Sequence, residues 1–154
     1  MDEEERRTLA DIERYGCHVI HVLEEDDLPP FAYSVGVEKS SGAPEVVVIG
    51  LKQPLDHFIV NEYNRRVRAG ERFEPGQRVE GFLEGFECQF LAVDPSHYGE
   101  YFGWDLWLYN GPNFRVLQLV FPTVDGVWPW DDEADEWFRN RQPLLDRPAA
   151  AGPA

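Results

Sequence analysis

The chain reads as an α+β fold: a single domain whose mostly antiparallel sheet of about five to six strands is covered by two to four helices. Three observations predict it. Three short runs between Cys17 and Leu51 place apolar residues at a period of two or almost continuously; the period becomes helical from Pro54 to Ala69; it returns to two from Arg78 to Val93 and in the run from Phe114.

In chain order, EEERRTLADIERYG predicts a short helix with Leu9 and Ile12 inward, acids in its first turn and Gly16 past its end, packed as a lid. CHVIHVLE is a strand with Cys17, Val19, His21 and Leu23 on one face and His18, Ile20 and Val22 on the other; two largely apolar faces suggest a central position. EEDDLPP is a loop, FAYSVGVE from Phe31 a second strand, KSSGAP a loop, and EVVVIGL from Glu45 a third, nearly continuous apolar strand. In the helix from Pro54 to Ala69, Leu55, Phe58, Ile59, Tyr63 and Val67 share the apolar face, with Gly70 beyond its end. Arg78 to Val93 is one bent strand or two short ones, with Phe82, Phe86, Cys88 and Phe90 on one face and Gly81 and Gly85 free to make a bulge or a hairpin turn. The aromatic run from His97 holds a short helix before the NGPN turn, and FRVLQLVFP from Phe114 is the last strand. Thr123 to Gly126 form a turn, and Asp131 and Asp132 suit the start of a helix reaching Trp137. Residues 1–146 form the globular domain, and RPAAAGPA, 147–154, is expected to be a disordered tail with nothing to bury.

The formal charge is −15, but 13 of the 29 acids lie in three clusters, DEEE at 2–5, EEDD at 24–27 and DDEADE at 131–136; the other 16 face 14 bases. Such clusters read as a helix start, a loop and a solvated stretch. Nucleic-acid binding is disfavoured, because phosphate contacts need a basic stripe and the RRVR at 65–68 is a helix end. The longest unbroken apolar run is Val46 to Ile49, far below the ~20 residues a bilayer needs. An acidic N-terminus without a hydrophobic stretch and only two cysteines, Cys17 and Cys88, predict a cytoplasmic protein with reduced thiols.

No nucleotide-binding, hydrolase or zinc-protease signature is present. His18 and His21, three apart on a strand, leave opposite faces and cannot share an ion, so no metal is expected, although either could meet His57 or His97. Cys17 and His21 lie about 13 Å apart along an extended strand, too far to pair. No catalytic residue or cofactor can be assigned. In FAYSVGVE, a small hydroxyl, Ser34, near Gly36 could line a surface that a ligand approaches, or Gly36 could admit the N-terminal helix. Glu45, after Pro44, is either solvated at the rim or paired with a base such as Arg115.

FAYSVGV, APEVVVIGL, VLQLVFPTVDGVWPW and RQPLL together resemble the bacterial family known as domain of unknown function 4262, over about Ile12 to Leu145. Where that family often has aspartate after the proline, this chain has Thr123 after Pro122. The resemblance implies one compact domain and no particular mechanism.

Three functions stay open. One is a binding domain with an aromatic-lined groove for a small molecule or peptide, its residues drawn from Tyr33, Ser34, Gly36, Gln118, Trp128 and Trp130. Another is an acidic, immunity-type protein that docks a basic partner through EEDD and DDEADE. The third is an enzyme or flavin-type binder built from Tyr33, Ser34, Gln118 and a histidine.

Overall fold

A computed structural model describes residues 1–149; most of the tail expected from Arg147 onward lies outside the described residues. Its centre is a six-stranded sheet built from β1 (His18–Val22), β2 (Phe31–Val35), β3 (Glu45–Ile49), β4 (Arg78–Leu83), β5 (Phe86–Ala92) and β6 (Val116–Val120). The strand order is β1-β2-β3-β6-β5-β4. Only β3 and β6 run parallel; every other neighbouring pair is antiparallel. The α+β expectation holds. β3 and β6 occupy the middle and all ten of their residues are buried, which is why all but Glu45 and Gln118 are apolar.

β1 was expected to be central and is instead an edge strand. Its two apolar faces report cover rather than neighbours on both sides: α1 (Glu3–Tyr15) and α3 (Leu55–Arg68) both pack on it. The acids at the start of α1 cap it. Asp2 accepts from the Glu5 amide while the Glu5 side chain accepts from the Asp2 amide, a reciprocal box that satisfies two free helix donors.

α3 forms as its spacing predicts, but its buried stripe is Asp56, Ile59, Val60, Tyr63, Asn64 and Val67. Leu55 and Phe58, expected inward, are about half exposed, at 48% and 51%. The stripe is rotated by one residue toward Asp56, so Asp56, Val60 and Asn64 take the place of Leu55 and Phe58.

Part of the expected KSSGAP loop is a short helix, α2 (Val37–Ser41), entered through Gly36 at φ 104° and left through Gly42 at φ 79°. Five residues without an apolar period carry no helical signal; a tertiary contact described below holds them. Arg78 to Val93 resolves into the β4–β5 hairpin, and its register shifts between Val79 and Leu83, around Gly81 at φ 101°. The aromatic segment forms α4 (Tyr98–Tyr101) and α5 (Gly103–Tyr109). These one- and two-turn pieces raise the helix count to six among the described residues, and none of the six is long and apolar enough to cross a membrane.

Two apolar layers sandwich the sheet. Ile59, Val60 and Tyr63 of α3 pack with Val46, Val48, Phe82, Phe90 and Leu119 on one side. Tyr98, Phe102 and Phe114 pack with Tyr33, Val47 and Ile49 on the other.

The final helix, α6 (Glu136–Arg141), starts later than Asp131 and Asp132 suggested. Asp135 is its cap and accepts from the Phe138 amide at 2.8 Å, whereas Asp131 turns back to accept from the Trp128 amide at 2.8 Å. Replacing Asp135 with alanine should therefore cost about 1 kcal/mol in urea denaturation. Asp132→Ala, which removes no cap, should change stability by less than about 0.5 kcal/mol.

Candidate binding groove and the buried carboxylates

Glu45 opens β3 and is completely buried. It is neither solvated nor paired with Arg115, which binds Glu38 at 2.9 Å instead. Donors surround its carboxylate. The Ser34 hydroxyl lies 2.8 Å from Oε1, the amides of Gly36, Val37 and Glu38 donate at 3.2, 3.0 and 3.0 Å, and the Tyr109 hydroxyl donates to Oε2. Ser34 in turn accepts from the Val46 amide and Tyr109 from the Lys39 amide. The first-turn amides of α2 thus supply the positive partial charge for which a base was expected, and Glu45 fixes a helix too short to persist by itself.

Asp105 of α5 is also completely buried, and neither of its carboxylate oxygens has a hydrogen-bond partner among the described residues. Burial raises its pKa well above the usual range, and the charges of Glu45 and Glu38 add to this. Burial likewise raises Glu45, to about 7, against the pull of Tyr109, the Glu38 amide and Ser34. Every partner of Glu45 donates to it and neither Asp105 oxygen is hydrogen-bonded, so Glu45 is the first of the pair to ionise and Asp105 holds its proton more tightly. Burial also pushes the thiols of Cys17 and Cys88 up to about 12, so neither is a thiolate near neutrality.

The remaining candidates from the sequence divide into separate places. Ser34 and Gly36 belong to the Glu45 cluster. Gly36 admits the N-terminal helix: a Cβ there would meet Ile12 side-chain atoms at 2.7 to 2.9 Å. Tyr33 and Gln118 flank Val47 on neighbouring strands. The buried Tyr33 hydroxyl accepts from the Trp104 amide at 3.3 Å. Gln118 is a fastener: its Nε2 donates to the Pro143 carbonyl and its Oε1 accepts from the Leu145 amide, both at 2.8 Å. Gln142 does the same for the end of β6, accepting from the Phe121 amide and donating to the Phe121 carbonyl.

Trp128 and Trp130 stack in parallel, ring centres 5.1 Å apart, and the Arg78 guanidinium lies 4.5 Å from the Trp128 ring centre. Trp128 is buried at 9% exposure and contributes to the wall of a groove of about 980 Å³, bounded by Leu55 and Phe58 of α3, Phe82 and Phe86 of the hairpin, and Pro122. Trp130 faces away, into a shallower hollow with Arg139 and Arg147. Trp128 is thus the only one of the six that lines this groove.

His18 bonds Asp11 at 2.7 Å, while His21 meets His57 at 2.9 Å with Asp56 behind it at 3.7 Å. Among the described residues, no group of three or more histidines, cysteines or acids is placed to hold a metal ion. Sequence reasoning missed Asp105 and the bond from Tyr109 to Glu45. The visible signal was GWDLWLY, one acid among aromatics on a short helix.

A family model described as a domain of unknown function, DUF4262, matches residues 11–135. No curated protein and no solved structure matches the chain.

Proposed function

The chain belongs to the DUF4262 family, a domain of unknown function, and from the geometry of its own surface we propose that it is a small binding domain whose ligand lies in the groove beside Trp128. The exposure of Leu55 and Phe58 carries this reading. Both sit on an otherwise amphipathic helix, and together with Phe82, Phe86 and Trp128 they form an apolar wall of the kind that binds a small molecule or a short peptide.

The rim adds a preference. Glu80, Glu84 and Glu87 border the groove, and no ion pair among the described residues engages them. Arg78, the only base on the lining, is spent on the Trp128 ring and on Gln89 at 3.0 Å. A ligand with an apolar body and a positive end suits this surface, whether it is a free amine or a lysine of a peptide.

A ¹⁵N-correlated NMR titration with 2-phenylethylamine tests the idea. The amine should shift the Trp128 indole and the amides of Gly81 and Gly85, and phenylacetate should not. The double variant Leu55→Ala, Phe58→Ala should weaken the response about tenfold, equivalent to about 1.4 kcal/mol. An equal response to phenylacetate, or shifts that avoid the groove, would remove the proposal.

A further inference from the structure

The acidic loop after β1 was read as solvated, with docking of a basic partner as the alternative, and it carries the most exposed apolar side chains of its region. Glu25 and Leu28 pair through two backbone hydrogen bonds, Glu25 N to Leu28 O at 3.1 Å and Leu28 N to Glu25 O at 2.6 Å, which closes a tight turn over Asp26 and Asp27. Leu23 and Leu28 on its two arms are 76% and 57% exposed, and Trp137 of α6 is 69% exposed. Two hollows, of about 230 and 650 Å³, adjoin there and share Leu28, Pro29 and Tyr101. The larger reaches Trp137, and the smaller reaches Leu23.

The charges around this patch that lack an ion-pair partner have one sign. Glu25, Asp26, Asp27 and Glu100 border the hollows without an ion-pair partner among the described residues. The one base on either lining is Arg141, and it is occupied: Nη1 binds Glu24, Nε donates to the Gly50 carbonyl at 3.1 Å, and the guanidinium sits 5.8 Å from the Trp137 ring centre.

From these observations we propose a second interaction surface, separate from the groove beside Trp128, that docks a basic segment of a protein partner with Leu23, Leu28 and Trp137 as its apolar anchors. Large exposed apolar side chains rimmed by uncompensated charge mark an interface more than a solvated loop, because solvation needs the acids and not the leucines. The acid rim also selects the occupant. A second copy of this chain would bring the same acids against themselves, and an anionic lipid surface would be repelled.

The test uses the full chain, an amphipathic Leu/Lys peptide, its Leu/Glu counterpart and a Lys/Ser peptide. The Leu/Lys peptide should shift the Trp137 indole and the amides of Leu23 and Leu28, with affinity falling about tenfold between about 50 and 500 mM salt. Leu23→Ala with Trp137→Ala should reduce affinity about tenfold, and Asp26→Asn with Asp27→Asn should flatten the salt dependence. All four positions are exposed or on an exposed turn, and an unchanged thermal midpoint confirms that each variant is folded. Equal binding of the Leu/Glu peptide, equal binding of the Lys/Ser peptide, shifts confined to the Trp128 groove, unaltered affinity in the variants, or self-association through this face would each overturn the proposal.

Discussion

Glu45→Ala is expected to lower the unfolding free energy by about 3–5 kcal/mol, the largest loss of any single substitution considered for this protein. The truncation leaves the Ser34 and Tyr109 hydroxyls and the amides of Gly36, Val37 and Glu38 facing a space from which water is excluded. Each buried donor so orphaned costs about 1–3 kcal/mol when nothing relaxes, and local rearrangement recovers part of the sum. Thermal midpoints should fall by roughly 10 °C on the scale of about 2–4 °C per kcal/mol for a chain of this size. Glu45→Gln keeps one acceptor oxygen but turns an NH₂ group toward donors, and should cost about 2 kcal/mol. Amide exchange gives a local readout: Val37 and Glu38 should lose protection in both variants before the sheet does. A loss below about 1 kcal/mol for Glu45→Ala would mean that water reaches these donors.

The contribution of Glu45 and Asp105 to stability should fall as the pH rises from 4.5 to 7, opposite in sign to that of ion-paired surface acids. Glu45 ionises near 4.5 in an unfolded chain and near 7 in the fold, so the folded state holds its proton more tightly. The stability linked to that proton is fully present below about 4.5 and is lost progressively up to about 7. A shift of this size corresponds to about 3 kcal/mol. Asp105 is displaced in the same direction by burial and by the charge of Glu45, so its contribution has the same sign and continues to higher pH. Asp105→Asn gives the discriminating comparison. It replaces a buried neutral acid with a neutral amide, so the urea midpoint should rise at pH 8, change little at pH 4, and depend less steeply on pH between them. An Asp105→Asn variant whose stability depends on pH as steeply as the wild type's would show that the proton does not reside on this pair.

The fold was legible wherever one face of an element decides its place. Val46 to Ile49 and Val116 to Val120 announce buried central strands because both their faces are covered. The hairpin and its bulge follow from Gly81 and Gly85, which the backbone takes to positive φ. What escaped depends on contacts between distant segments. α2 exists because Glu45, seven to nine residues later, binds its amides, and no local period encodes that. The rotation of α3 follows from Asp56 being buried beside His21, a placement that apolar spacing alone ranks second to Leu55. The candidate site was legible in residue type more than in grouping. Ser34, Gly36, Gln118 and the Trp128–Trp130 pair all do specific work, but in three separate places, because period-two spacing locates a residue on a strand without saying which loop covers it.

Gln118 and Gln142 together tie the segment after α6 to the middle of the sheet. Their side-chain amides close the far side of β6 across separations of 21 and 27 residues. The segment from Gln142 to Leu145 is therefore a clasp on the middle of the sheet, and without it the side chain of Gln118 and the backbone of Phe121 lose their partners.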